Sequence, residues 1–230
     1  MATNTKNRKR RSKRRSKKYR MLRIKRACVL GVLAVLLLLI IYNVGHHLYI
    51  ALRPKADETT FTLKKDGSVR LEELVDTNQL DTSKSELKGL VKDDIDAFNE
   101  RIGENKAKFI RIGKSNGKTY VETTYTDVES YAKHTKYDVK LTDVKKSKED
   151  FNAIFVSVKD NKKGKSIPVE QVKRIKGKVL TIDENIAVKV PGEIVCVSDE
   201  GTTISKDGVV SVKPVNGNYD SAVKTYIIYK

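Results

Sequence analysis

The stretch ACVLGVLAVLLLLIIYNV, Ala27 to Val44, runs for eighteen residues without a charge. At a helical rise of about 1.5 Å per residue, this run and its flanks reach across a hydrocarbon core of roughly 30 Å. The block from Leu36 to Ile41 is apolar on every side. A helix built from it has no polar stripe to turn toward water, unlike a helix on the surface of a globular core. Asn43 is its one strongly polar residue, near the far end. The reading is a transmembrane helix with an interfacial end, over residues 27–52.

The residues before the run orient it. Fourteen Lys or Arg and no Asp or Glu precede Ala27. Basic flanks stay on the cytoplasmic side, so the expected topology places the amino terminus inside and the chain beyond Arg53 outside. The whole chain carries 47 Lys or Arg against 29 Asp or Glu, a net charge of +18; with +14 confined to residues 1–26, the remainder carries only +4. A basic arm of this kind can neutralise nucleic-acid phosphates. Its place beside a membrane span accounts for it through topology and through attraction to anionic headgroups, about 1 kcal/mol per near-surface cation. The expected partner of Arg20, Arg23, Lys25 and Arg26 is therefore the anionic surface of the lipid bilayer, and nucleic acid is not the expected ligand.

The run exceeds the usual apolar length of a cleaved signal peptide, and Gly45 to Pro54 offer no small-x-small cleavage site. An uncleaved signal anchor is expected. Cys28 stands at the start of the run, where a lipidated cysteine would follow it. His46 and His47, about 100° apart on a helix, make a poor metal pair and read as interfacial residues.

Only Cys196 lies beyond the span, so the exterior part has no internal disulfide and must be held by packing. After a linker over 53–58, the first exterior unit is expected over 59–145. Alternation in Thr60 to Leu63 and Val69 to Leu71, around Asp66-Gly67, reads as a hairpin. Ser83-x-x-Glu86 reads as a capping box opening a helix that Gly103 ends, with Leu87, Leu90, Val91, Ile95, Phe98 and Ile102 on one face. Phe109 to Ile112 and Tyr120 to Tyr125 flank Asn116-Gly117, a second hairpin. Asp127 is placed to cap a short helix before an extended Tyr137 to Leu141.

Residues 146–230 differ in kind. Short Val- and Ile-rich runs, Phe151 to Val158, Val179 to Ile182, Ile186 to Val190, Glu193 to Val197, Val209 to Val212 and Thr225 to Tyr229, alternate with turns such as Asn161 to Gly164, Pro191-Gly192 and Asp207-Gly208. Ser166 to Val172 has room for one helical turn. This pattern predicts a small all-β unit, a sandwich or barrel. The expected fold class is α+β: one N-terminal transmembrane helix, an antiparallel sheet with a packed helix, then the all-β unit.

Leu63-Lys64-Lys65-Asp66-Gly67-Ser68-Val69, the helix around Leu87 to Asn99, Tyr120 to Tyr125, Asp127 to Ala132, Glu193 to Asp199 and the closing Tyr226 to Lys230 form a set spread over the exterior part. Together they resemble the uncharacterised extracytoplasmic domains of membrane lipoproteins from clostridial-type Gram-positive bacteria. The resemblance implies compartment and fold and carries no functional residue. It departs in the anchor, which is lipid in those proteins and a helix here.

Chemistry-bearing motifs are scarce. A sortase-like or cysteine-hydrolase site would need His134 and Cys196 to meet, and an Arg after the Cys to hold developing oxyanion charge. No Arg follows Arg174, and Glu193-Ile194-Val195 precedes Cys196 in place of a Thr-Leu-x-Thr pattern. No Gly-x-Ser-x-Gly, His-Glu-x-x-His or phosphate-binding glycine loop occurs. Asp93, Asp94 and Asp96 read as a solvated helix face. Tyr120, Tyr125, Tyr131 and Tyr137 can form an exposed stacking platform or line a sheet core, and the core is expected. No catalytic, cofactor or metal residues are expected. The expected function is a membrane-anchored extracytoplasmic binding or structural module with a cell-wall or membrane-protein partner; the alternatives are a cell-envelope enzyme and a divisome- or secretion-type scaffold.

Overall fold

A computed structural model of the chain describes residues 35–53, 55–76, 82–214 and 223–230. It comprises two compact units, Met1–Pro54 and Lys55–Lys230. The four basic residues expected at the lipid surface, Arg20 to Arg26, lie outside the described residues, as do Ala27 to Ala34.

In the first unit, α1 (Val35–Leu52) has a mean hydropathy of 1.9 over its eighteen residues, and none of it is buried. It is long and apolar enough to cross a membrane, and it continues past Val44 through the histidines. The side-chain amide of Asn43 donates to the carbonyl of Leu39 at 2.8 Å, so this side chain is satisfied within its own helix. His46 stacks on Tyr42 one turn back, with planes 10° apart. His47 meets His46 edge-on instead of sharing a ligand site with it.

The second unit is built on two sheets. The turn chemistry acts as expected. β1 (Thr60–Leu63) and β2 (Val69–Val75) pair antiparallel around a turn in which Asp66 accepts from the Ser68 backbone N–H at 3.0 Å. β3 (Ala107–Ser115) and β4 (Lys118–Tyr125) join through Asn116 and Gly117, both at positive φ, the tight hairpin geometry that Asn-Gly supports. Between the hairpins, α2 (Lys84–Ile102) is capped by Ser83, whose hydroxyl accepts from the Glu86 N–H, and closed by Gly103 in the left-handed region. α2 turns Ile95 and Phe98 into the core, with Val91 and Ile102 packed beside them. Leu90 is a correction: it is 58% exposed. At about 100° per residue it falls roughly 100° from the centre of the stripe formed by Val91, Ile95, Phe98 and Ile102.

Asp127 caps α3 (Val128–Thr135), accepting from Ser130 N–H at 2.7 Å. There follow β5 (Val139–Asp143), a 3-10 turn at Val144–Lys146, β6 (Phe155–Lys159), β7 (Lys162–Ile167), α4 (Val169–Val172), β8 (Lys178–Ile182), β9 (Ala187–Lys189), β10 (Ile194–Ser198), β11 (Thr202–Ile204), β12 (Val210–Val212) and β13 (Thr225–Tyr229). β7 is a strand where a turn was expected. Asp160 and Asn161, both at positive φ, make the turn, and the lysines beyond it form a polar edge strand.

The boundary expected at 145/146 does not separate two cores. The seven-stranded sheet has the order β11-β12-β9-β1-β2-β4-β3, and the six-stranded sheet β5-β8-β13-β10-β6-β7. Each therefore mixes strands from both sides of Lys145. The seam is the parallel pairing of β1 with β9, Phe61 opposite Val188. It satisfies the edge that the β1–β2 hairpin would otherwise leave open. The β8–β9 connection carries the chain from one sheet to the other, and one apolar cluster spans both, from Phe61 and Leu71 to Leu180, Val197 and Ile227. A second cluster with Phe151, Phe155, Cys196 and Ile228 covers the far face of the six-stranded sheet. That sheet is apolar on both faces, which is why β13 reads as an uninterrupted buried run.

Candidate functional site

The sequence-derived pair His134 and Cys196 is not assembled. Cys196, on β10, is fully buried in the second apolar cluster, and burial pushes its thiol up to about 12. It is a core residue with no accessible thiolate. His134, on α3, belongs to a different constellation. Its Nδ1 lies 2.9 Å from the Tyr125 hydroxyl, its ring packs on Phe98, and its Nε2 is 2.9 Å from Asp94 Oδ2, outside hydrogen-bond geometry. One member of the acidic run on α2 is thus drawn to α3.

This constellation continues inward. Tyr125 and Tyr131 meet edge to face at 5.3 Å, and the Tyr131 hydroxyl donates to Glu184, in the β8–β9 connection. Burial drives both phenols above their ordinary range. Burial, with Glu73 and Asp183 nearby, also lifts the Glu184 carboxyl to about 7. Glu73 is raised by burial and by Asp94. The row Asp94, His134, Tyr125 has the spacing of a nucleophile with its base and orienting acid, but Tyr125 is 3% exposed and a substrate has no approach to its oxygen. The group binds α2, α3 and the β8–β9 crossing together.

A second buried polar group lies on strands β2, β3 and β4. Glu72 and Glu122 stand opposite each other in register, an arrangement that like charges oppose. The Tyr120 hydroxyl shares its one proton between them, at 2.6 Å from Glu72 and 2.9 Å from Glu122, Arg111 Nε donates to Glu122 at 2.7 Å, and Arg70 pairs with Glu72 at 3.1 Å. Burial, then Glu72, pushes the Tyr120 phenol up to about 12. Of the four clustered tyrosines, Tyr120, Tyr125 and Tyr131 are core residues with bonded hydroxyls, and Tyr137 alone is exposed.

One accessible feature is a cleft of about 710 Å³ at one end of the two sheets. The β1–β2 turn supplies Lys64 and Lys65, the 3-10 turn after β5 supplies Lys145 and Lys146, the start of β8 supplies Lys176 and Lys178, and Lys230 follows β13. Asp143 is the one acidic side chain in the lining, and it is paired with Lys146 at 3.2 Å. Among the described residues no carboxylate lies within ion-pair distance of Lys65, Lys145, Lys176, Lys178 or Lys230. Leu141, Pro191 and the buried Tyr229 are the larger apolar residues of the lining.

Two glycines frame the cleft. A Cβ on Gly192 would lie 1.8 Å from the Lys230 carbonyl oxygen, and one on Gly177 2.5 Å from that of Tyr229. The close approach lets Glu193 and Lys230 exchange backbone hydrogen bonds at 3.1 and 3.0 Å, while Val144 N–H donates to Gly177 at 3.0 Å. Sequence reading missed this site because its lysines come from segments far apart in the chain, each of which reads as ordinary solvated surface. The local signal is lysine within two residues of a glycine, in Lys65-Asp66-Gly67 and Lys176-Gly177-Lys178. No group of three or more potential metal ligands occurs among the described residues. Comparison of the chain with family models, with curated proteins and with solved structures finds no match.

Proposed function

We propose that the chain is a single-pass membrane protein whose residues 55–230 form an extracytoplasmic binding module, tethered by α1 with the polybasic arm in the cytoplasm. The observation that carries this reading is the eighteen-residue α1, with a mean hydropathy of 1.9 and no buried residue, preceded by fourteen cations without one acid. Lipid is the solvent that such a helix requires, and the positive flank sets its direction. The setting is the envelope of a Gram-positive-type cell, where a wall component or another membrane protein is the partner. The lysine cleft makes the module a binder of anionic ligands. The enzyme alternative loses its motivating pair, since Cys196 and His134 belong to separate packing environments.

Protease shaving of intact cells tests the topology. Digestion of the 55–230 part with the arm protected is the expected result. Loss of the arm alone, or recovery of the chain in the soluble fraction without detergent, overturns it.

A further inference from the structure

Resting on that reading, we infer that the lysine cleft binds a linear phosphodiester polymer of the polyol-phosphate kind. Its cations come from four separate segments and surround a concavity. Five of them, Lys65, Lys145, Lys176, Lys178 and Lys230, have no acidic partner among the described residues. Uncompensated ammonium groups focused by a low-dielectric wall attract a chain of repeating negative charge.

The lining narrows the class of ligand. It contains lysine and no arginine. Ammonium groups act as point charges that accept a phosphate from any direction, without the coplanar approach that a guanidinium fork imposes on its partner. No aromatic ring is presented for stacking, because Tyr229, the one aromatic residue in the lining, is 5% exposed. Single-stranded nucleic acid gains much of its affinity from stacking platforms that this cleft lacks. A flat lipid surface cannot follow a concave lining. Leu141 and Pro191 instead offer carbon surface to the short polyol units between phosphates.

The test uses the intact chain in neutral detergent and poly(glycerol phosphate) carrying a photo-crosslinker. Crosslinks are mapped by peptide mass spectrometry, so contacts made by the arm are read separately. The triple variant Lys65→Glu, Lys145→Glu, Lys178→Glu is expected to lose cleft crosslinks at least tenfold. The charge-matched Lys84→Glu, Lys118→Glu, Lys206→Glu, all exposed positions away from the cleft, is expected to keep them within twofold, and circular dichroism melting should match the parent for both variants. Equal loss in the two variants, crosslinks confined to residues 1–26, or equally strong cleft labelling by single-stranded DNA or anionic vesicles would overturn the inference. The readout is independent of topology. A failure here with correct shaving results refutes the ligand and leaves the anchored module standing.

Discussion

Glu184 shows how a single carboxyl can set the pH response of the fold. Its ordinary value is 4.5, and burial, followed by the neighbouring Glu73 and Asp183, raises it to about 7 in the folded chain. The folded state therefore holds a proton that the unfolded chain has released between those values, and stability falls as pH rises through this window. The contribution is fully present below about pH 4.5, is lost by about pH 7, and amounts to about 3 kcal/mol. Urea unfolding of the parent and of Glu184→Gln across this range should show the slope in the parent and its loss in the variant; parallel curves would refute the assignment. Tyr120 acts differently, as a donor shared by two opposed carboxylates. Tyr120→Phe leaves Glu72 and Glu122 with one donor fewer in a buried site and should cost about 1 to 3 kcal/mol in the same assay. Neither role was legible beforehand. A buried Glu and an exposed Glu look alike in a chain rich in both, and Glu72 and Glu122 are brought face to face only by strand register.

At the scale of elements, local chemistry was a good guide. Ser83, Gly103, Asp127 and Asn116-Gly117 act as the caps and turn that their types favour, because each acts on backbone within a few residues. The exposed Leu90 marks the limit of that guide. Leu87, Val91, Ile95, Phe98 and Ile102 fall within about 50° of one direction and Leu90 lies about 100° from it, outside the stripe that faces the sheet. Leu90→Lys should therefore change stability by no more than about 0.5 kcal/mol, while Phe98→Ala should cost about 3 to 5 kcal/mol by denaturant unfolding. Asn99 was equally hidden. Its side chain accepts from the Lys106 and Ala107 N–H groups at 2.9 Å and donates to the Ala107 carbonyl at 2.8 Å, tying the end of α2 to the start of β3. For α1 the expectation comes from insertion energetics. A charge in the apolar block from Leu36 to Ile41, Leu38→Arg, costs about 2.5 to 3.5 kcal/mol and should increase the fraction released by alkaline carbonate extraction of membranes.

For the molecule as a whole, the mixed sheets give a strong expectation about fragments. Residues 55–230 share one apolar cluster across both sheets and should unfold in a single cooperative transition without α1, dissolved in plain buffer. The separate pieces 59–145 and 146–230 should each fail to give dispersed amide resonances. The first would expose the β1 edge and leave β5 without its sheet, and the second would leave β9, β11 and β12 without theirs. Independent folding of either piece would show that the parallel β1–β9 seam is dispensable.

By itself the sequence determined the apolar span, the α+β class, the caps and the tight turns. Each of these is written in a continuous segment, where solvent preference and backbone chemistry act over one helix or one hairpin. Only the tertiary structure decided that the two halves share their sheets, that Cys196 and His134 lie in different packing environments, and that distant lysines line one cleft. Those outcomes depend on which strand edges and apolar faces find each other across the chain, and residues separated by many turns carry no mark of the partner they will meet.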